Sequence, residues 1–477
     1  MHRAAAVCSD SDLSHSDDTM YRLLSLLALF LFSAGCGDYS SDYGGDRESL
    51  FEGPVTAQEP AAWVKDAVVY EVFVTQFTPE GTFQAMIPRL DELKALGVNT
   101  LWLMPIHPVG QERKKGDLGS PYAIQDYFDV NPAFGTRDDF RALVDSVHAR
   151  DMKLIIDLVA NHTAWDNAWI TEHPEWYTRG DDGEMIHPKD TDWTDVADLD
   201  YSQAALREEM TRAMRYWVEE FDIDGYRCDV ADLVPGEFWV DAIAELRTIK
   251  PEIMMLAESA ASEVHTYGFD LSYAWPFYSE LKEVWRGASA DRLTGVLGME
   301  ENDFLDWSRR LRFTTNHDET AWDDTPINLF GGTQGARAAA TLVTLLPGNP
   351  LVYNGQEVGD PDKIPLFEKR TVNWEADSTM RAFYEELLAL YASEQAFSQG
   401  EFAPLDEAGS DAYAFTRNLG GRDLLVTVNV RDTETSFDLP TPLANYSFNA
   451  IFGAGELADG SVTLAPYGFA VWEWTER

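Results

Sequence analysis

Basic residues are scarce in this chain. Its 477 residues carry 36 Lys and Arg against 82 Asp and Glu, a formal charge of −46, and only 10 of the basic residues are Lys. A field of that sign repels nucleic acid and anionic lipid, so no nucleic-acid partner is expected. The excess itself has two readings. One is an ordinary solvated surface; the other is a salty surrounding, where ions screen self-repulsion and acidic, lysine-poor surfaces are typical of halophiles. The second predicts low activity without added salt. Cysteine is also sparse, with only Cys8, Cys36 and Cys228. An odd, scattered set of three argues against a disulfide framework. No apolar run reaches the length of a membrane span, and no repeat at a solenoid period is evident.

The N-terminal part reads as an address. Residues 20–36, MYRLLSLLALFLFSAGC, place Arg22 before an apolar run at 23–32 and small residues after it. A run of ten residues is too short to span a bilayer and suits the core of a signal peptide. The ending Ser33-Ala34-Gly35-Cys36 resembles a bacterial lipobox, which makes Cys36 the expected lipid attachment. Ser33 stands where Leu is more usual, and a secretory signal cut nearby is the plainer alternative. The expected location is outside the cytoplasm, lipid-anchored in the periplasm or at the cell surface, with membrane contact only through that anchor. Residues 37–60, rich in Ser, Gly, Asp and Tyr, read as a flexible tether.

The rest is rich in core-forming residues, 45% apolar with 15 Trp, 19 Tyr and 25 Phe. From Trp63 onward, short apolar runs alternate with amphipathic stretches. Eight runs read as strands, at 67–74, 99–106, 153–161, 223–230, 252–259, 269–275, 311–319 and 349–357. Residues 83–96 and 206–221 keep apolar residues in helical register between them. Eight β/α repeats predict an α/β fold, a (β/α)8 barrel over 61–397. The connection after the third strand, about 163–201, is long and predicts a short inserted subdomain. From 398 to 477 the pattern turns to alternating strands and predicts a C-terminal antiparallel β-sandwich.

The fourth run, IDGYRCDVADL at 223–233, raises a chemical question. Arg227 and Asp229 are two apart on a strand, so they point to one face. Burying two charges together is costly unless they are paired or used. Other strand ends also carry ionisable or polar groups: Asp157, Asn161 and His162, then Glu258, then His317 and Asp318. In a barrel the chemistry sits at the C-terminal ends of the strands. One carboxylate at one end proves nothing in so acidic a chain, but several are hard to reach by accident.

These residues carry a resemblance. DLVANH (157–162), GYRCDVADL (225–233), the Glu of LAES (256–259) and FTTNHD (313–318) resemble the four ordered motifs of the α-amylase family of glycoside hydrolases. GSPYAIQDYFDVNPAFGT (119–136) and YNGQE (353–357) are similar to the family's segments after the second and eighth strands. The resemblance implies a retaining α-glucan hydrolase acting on α-1,4-glucosidic bonds in starch, maltodextrin or related oligosaccharides. It implies Asp229 as nucleophile and Glu258 as general acid and then base, their carboxyls about 5–5.5 Å apart. It implies Asp318 as a grip on sugar hydroxyls, His162 and His317 as hydrogen-bond donors to the same sugar, and Tyr122 as a stacking face. Arg227 beside Asp229 is expected to lower that carboxyl's pKa by its opposite charge. Trp322, four residues past Asp318, is expected at the cleft rim.

No cofactor is expected to be required. Asn161 corresponds to a calcium ligand of the family, with Asp190, Asp192, Asp195 and Asp198 available beside it, so calcium remains an option. Trp165, Trp169, Trp176, Tyr177 and Trp193 are expected either to meet sugar faces or to pack the insert's own core. Asp232 and Leu233 depart from the family's Lys-His pair on the leaving-group side. The chain is expected to act as a monomer on an α-glucan. Two other functions stay open. The stretch 104–122 is similar to maltosyltransferases that use maltose 1-phosphate, with Arg113, Lys114 and Lys115 as phosphate ligands. The other is a non-catalytic amylase-like binding protein, which would have lost its carboxylates.

Overall fold

The computed structural model describes residues 59–475 except residue 445. The signal segment, Cys36 and the tether up to residue 58 lie outside the described residues. Among the described residues, no helix is long and apolar enough to cross a membrane.

Eight parallel strands close into a barrel: β1 Val69–Val72, β2 Thr100–Leu103, β3 Lys153–Leu158, β4 Gly225–Cys228, β5 Met254–Ala257, β6 Leu271–Tyr273, β7 Arg309–Arg312 and β8 Asn349–Tyr353. Their order around the barrel is their order in the chain. Each overlaps one of the eight runs read from the sequence. Every residue of β1, β2, β4, β5 and β8 is buried. Strands covered on both faces read as continuous apolar runs, which is why these were legible. Gly225 opens β4 because a Cβ there would lie 2.2 Å from the Met254 carbonyl oxygen of β5.

The seventh strand differs from expectation at both ends. It starts at Arg309, and three of its four residues are arginines. Arg309 donates to the carbonyls of Lys65, Gly348 and Ser398 at 2.7–2.9 Å, and Arg312 bonds Glu300 and the Pro347 carbonyl. Partnered guanidinium groups can be buried, so charge masked the strand. It then ends at Arg312, well before His317. The Asn316 side chain accepts from the Glu319 N–H at 2.9 Å and caps a helix, His317–Trp322.

Helix Ala204–Phe221 buries the stripe expected of it, including Leu206, Met210, Met214, Trp217 and Phe221. The stretch at 83–96 is not one helix. Phe83–Met86 and Leu90–Leu96 are α-helical, and a 3₁₀ turn with Pro88 near its start joins them. Proline lacks the N–H that a continuous helix needs there.

In the insert after β3, strands His162–Ala164 and Val196–Asp198 form an antiparallel ribbon. Trp165, Trp169, Trp176 and Tyr177 are buried and pack the core beneath it. The chain from Glu401 onward forms a five-stranded and a three-stranded antiparallel sheet. Ala414, Leu425, Phe437, Val462, Leu464 and Trp472 belong to the apolar cluster these sheets share. Strands Glu401–Pro404, Ser447–Gly453 and Glu456–Ala458 were not read from the sequence. Their residues are mostly exposed or half-buried, so they lack a clear apolar alternation.

Candidate active site

Arg227, fully buried on β4, is the hub of the site. Its Nη1 donates to Asp157 Oδ1 at 2.9 Å and to Asp229 Oδ1 at 3.0 Å. Its Nη2 lies 2.9 Å from Glu258 Oε2 as an ion pair, although not in hydrogen-bond alignment. Its Nε donates to the Tyr273 hydroxyl at 3.2 Å. One guanidinium thus gathers carboxylates from the ends of β3, β4 and β5. Leaving any of these charges unpaired in the interior would be costly, so the cluster holds together as a unit.

The backbone sets the two outer carboxylates. The Asp229 N–H donates to the Leu158 carbonyl at 2.9 Å and the Glu258 N–H to the Cys228 carbonyl at 3.0 Å. Both residues thus continue the barrel pairing one step past their strands. Cys228, between Arg227 and Asp229, is buried on the other face as a free thiol.

Burial raises the pKa of Asp229 to about 7, with Arg227 opposing and Asp157 adding to the rise. Burial likewise carries Glu258 higher, to about 8, again against Arg227. The expectation that Arg227 would dominate at Asp229 is corrected here. The guanidinium does lower that pKa, but loss of water outweighs it. Glu258 is carried higher than Asp229, so of the two it keeps its proton to higher pH.

The remaining residues join the cluster from other loops. The Tyr122 hydroxyl donates to Asp157 Oδ2 at 3.3 Å and meets His317 Nε2 at 2.7 Å. Its ring stacks on His317 with centroids 5.4 Å apart. His317 Nε2 lies 3.4 Å from Asp318 Oδ2, and Asp318 is partly exposed. His162 lies on the insert's ribbon. The Asn161 amide donates to its Nδ1 at 3.2 Å, and its ring also bonds the Tyr122 backbone. Burial first, and Lys115 nearby, lower its pKa to about 3 despite that bond, so His162 is neutral. Trp322 is 64% exposed, with Phe367 edge-on at 5.7 Å. The Trp193 ring lies 5.6 Å from that of His162. Asp232 and Leu233 are both exposed in the turn after Asp229.

Three buried contributors were not singled out from the sequence: Glu71 on β1, Trp102 on β2 and Tyr273 on β6. Trp102 donates to Asp157 Oδ2 at 3.2 Å, and Glu71 bonds His317 Nδ1. Glu71 had a signal, since it is an acidic residue inside the apolar run AVVYEVFV. The two aromatics had none, because an aromatic in a strand reads as core.

Asn161 donates from Nδ2 to His162, and its Oδ1 is the atom a cation would take. Asp195, the buried carboxylate of the insert, holds Lys115 Nζ at 2.8 Å. Among the described residues, no group of three or more His, Cys, Asp or Glu is arranged to hold a metal ion. The side chains present therefore do not fit a calcium site in this arrangement, and no chemical step below uses a metal.

A closed eight-stranded parallel barrel with a carboxylate cluster at the C-terminal strand ends, followed in the chain by two antiparallel sheets, is the architecture of a glycoside hydrolase of the amylase type. The family model for the alpha amylase catalytic domain matches residues 41–395, and the chain belongs to that family. It is similar to an α-amylase of Haloarcula japonica, 27% identical over 88% of this chain, and it spans only 65% of that relative's length. A cyclomaltodextrinase of a Bacillus species is 25% identical over 82% of this chain and 78% of its own. Among solved structures, a maltogenic α-amylase from Thermotoga neapolitana superposes with a TM-score of 0.78 at 29% identity, covering 87% of this chain and 100% of its own. Enzymes of the family need no organic cofactor, and calcium is optional to them.

Proposed function

We propose that this chain is a retaining α-glucan hydrolase that cleaves α-1,4-glucosidic bonds in starch, maltodextrin or related oligosaccharides. The observation that carries the reading is the pair Asp229 and Glu258, both held by Arg227 within 3.0 Å and both at strand ends. Glu258 gives its proton to the glycosidic oxygen as Asp229 attacks the anomeric carbon. The C–O bond to the leaving sugar breaks and an ester to Asp229 forms. Glu258, now a carboxylate, takes a proton from water, and the water oxygen displaces Asp229 from the same carbon. Asp318, Tyr122 and His317 are assigned to the sugar being cleaved. The names of the relatives, α-amylase and cyclomaltodextrinase, support a linear or cyclic maltodextrin as substrate.

The test is maltoheptaose, followed by chromatography with NMR of the anomer first released. Shorter products appearing as the α-anomer support the reading, and β-anomers overturn retention. Glu258→Gln is expected to lose about 10²- to 10⁴-fold on maltoheptaose. It should lose far less on a glycosyl fluoride, whose leaving group departs without a proton. Equal losses on both substrates would remove Glu258 as the acid.

The phosphate-using transferase is the weaker reading. Arg113 stacks over Trp165 at 3.8 Å, Lys114 donates to the Asp117 carbonyl at 2.8 Å and Lys115 pairs with Asp195. Each cation of that turn already has a partner. The binding-protein reading is weakened by the presence of all three carboxylates. We further propose that the chain is exported and lipid-anchored through Cys36, and that its acidic excess goes with a requirement for salt. Radiolabelled palmitate incorporated by the parent and not by Cys36→Ala would support the anchor. A flat activity profile against salt would remove the requirement.

A further inference from the structure

Glu71 is the least expected charge in the barrel. It is fully buried on β1, and one of its oxygens has no hydrogen-bond partner among the described residues. The other oxygen bonds His317 Nδ1. Burial raises the pKa of Glu71, while His317 and Arg227 oppose the rise. An isolated buried carboxylate is costly, and here the neighbouring imidazole is its direct partner.

The groups around His317 show what its two nitrogens face. Nε2 lies 3.4 Å from Asp318 Oδ2, a carboxylate that accepts. It also meets the Tyr122 hydroxyl at 2.7 Å, which accepts from Nε2 when its one proton goes to Asp157 Oδ2 at 3.3 Å. Nδ1 faces the Glu71 carboxylate, which also accepts. A ring that donates from both nitrogens is an imidazolium. The surroundings agree. Glu71 faces the ring from β1, Asp157 from β3, Arg227 from β4, Tyr122 from the loop after β2, Trp102 edge-on from β2, and Asp318 from the ring's own helix. Burial pulls the pKa of His317 down, but Asp318 and Glu71 carry it up to about 9 against Arg227.

We propose that Glu71 is a positioning residue for glycosidic cleavage. By accepting from His317 Nδ1, it keeps that ring a double donor that aims Tyr122 and steadies Asp318 at the sugar. The inference rests on reading this cleft as the place of glucan cleavage. It adds a residue that touches no substrate and acts only through His317. The site then holds two histidines in opposite states. His162, near Lys115 and capped by an amide, is neutral; His317, backed by a carboxylate, is charged. The cation it supplies is a second one, beside Arg227, for the buried carboxylates.

The experiment is an NMR titration of the full chain with ¹⁵N-labelled histidine, nine residues in all, with the His317 signals assigned by their loss in His317→Asn. In the parent, His317 is expected to stay an imidazolium through pH 8. In Glu71→Gln it should titrate lower by about one unit or more. The same variant should lose about ten- to a hundredfold in kcat, the scale of one hydrogen bond to a charged group, with a smaller change in KM. A residue serving packing alone would leave the titration in place. A neutral His317 at pH 7 in the parent overturns the proposal, whether or not the variant folds. So does an unchanged titration in a folded Glu71→Gln. If the parent shows the charged His317 but cleaves no glucan, the failure belongs to the proposed function and not to the Glu71–His317 pair.

Discussion

The backbone N–H of Val230 donates to Glu258 Oε2 at 2.8 Å, and Val230 makes that bond from the left-handed region, at φ 36°. A β-branched residue is strained there, at about 1–2 kcal/mol. The strain follows from the chain turning sharply after Asp229 to bring an N–H onto the acid from the neighbouring strand. Asp229 and Glu258 are therefore tied through one peptide as well as through Arg227. Val230→Gly should relieve the strain and leave unfolding free energy within about 1 kcal/mol of the parent, despite the lost side chain. It should also lower kcat severalfold, because the freed backbone holds Glu258 less firmly. Urea unfolding and steady-state kinetics on one preparation decide the matter. A large stability loss with unchanged kcat would mean that Val230 serves packing and not the acid.

The order of the two carboxyl groups sets a pH profile. Asp229 must be ionised to attack, and Glu258 must be protonated to give its proton. As pH falls through about 7, Asp229 gains a proton and the rate drops. As pH rises through about 8, Glu258 loses its proton and the rate drops again. A bell in kcat/KM centred between these values is the expected outcome, on the neutral to mildly alkaline side. The limbs belong to the coupled pair and not to either residue alone. An optimum below pH 5 would contradict the burial that drives both shifts.

Where a residue sat on an apolar strand end, the sequence made the site legible. Asp229, Glu258 and Arg227 announced themselves as charges at the ends of runs such as IDGYRC and IMMLA, where charge is costly without a use. The barrel was legible for the same reason, since strands covered on both faces are apolar throughout. The misread charges share one cause, that their partners lie on other elements. Arg309 and Arg312 look wrong for a strand until the carbonyls and Glu300 that receive them are known. Asp195 looks like a metal ligand until Lys115, 80 positions earlier, is found against it. Glu71 and His317 are 246 residues apart, so nothing local tells which buried charge meets which.

Asp224, at the opposite end of β4 from Asp229, is a carboxylate of a different kind. It is 1% exposed, with His148 at 2.7 Å, Lys153 and Lys250 each at 3.0 Å and the Leu154 N–H at 2.9 Å. Burial pushes its pKa up, but His148, Lys250 and the Leu154 N–H together hold it below the usual carboxylate range. A depressed folded-state pKa stabilises the fold above the unfolded value of about 3.9, and that contribution is lost as pH falls further. Asp224→Asn should cost about 3 kcal/mol at neutral pH, and the deficit should shrink as the medium is acidified below pH 4. Its kcat should match the parent's wherever the variant is folded, because the residue lies at the foot of the barrel. A deficit that does not vary with pH would mean the loss comes from packing and not from the charge.

Lys115 supplies in protein form what a bound cation would supply to the insert. It reaches from the loop after β2 to Asp195, whose side chain is 4% exposed, and its Nζ also lies 3.4 Å from the Asp192 carbonyl. That contact ties the loop after β2 to the insert and places a positive charge beside His162. A chelator should therefore change neither the Tm nor the activity of the parent. Lys115→Met keeps the stem and removes the charge, leaving Asp195 buried without its cation. The expected cost is about 1–3 kcal/mol, the scale of an unsatisfied buried polar group. KM should rise as that tie loosens, and the pKa of His162 should rise with the ammonium gone. If calcium then restores the Tm of the variant, while leaving the parent unmoved, the ammonium and the divalent ion are alternative occupants of one place. A parent whose Tm falls in chelator would show instead that a metal is held by groups other than Asp195 and that the ion pair is not what closes the insert.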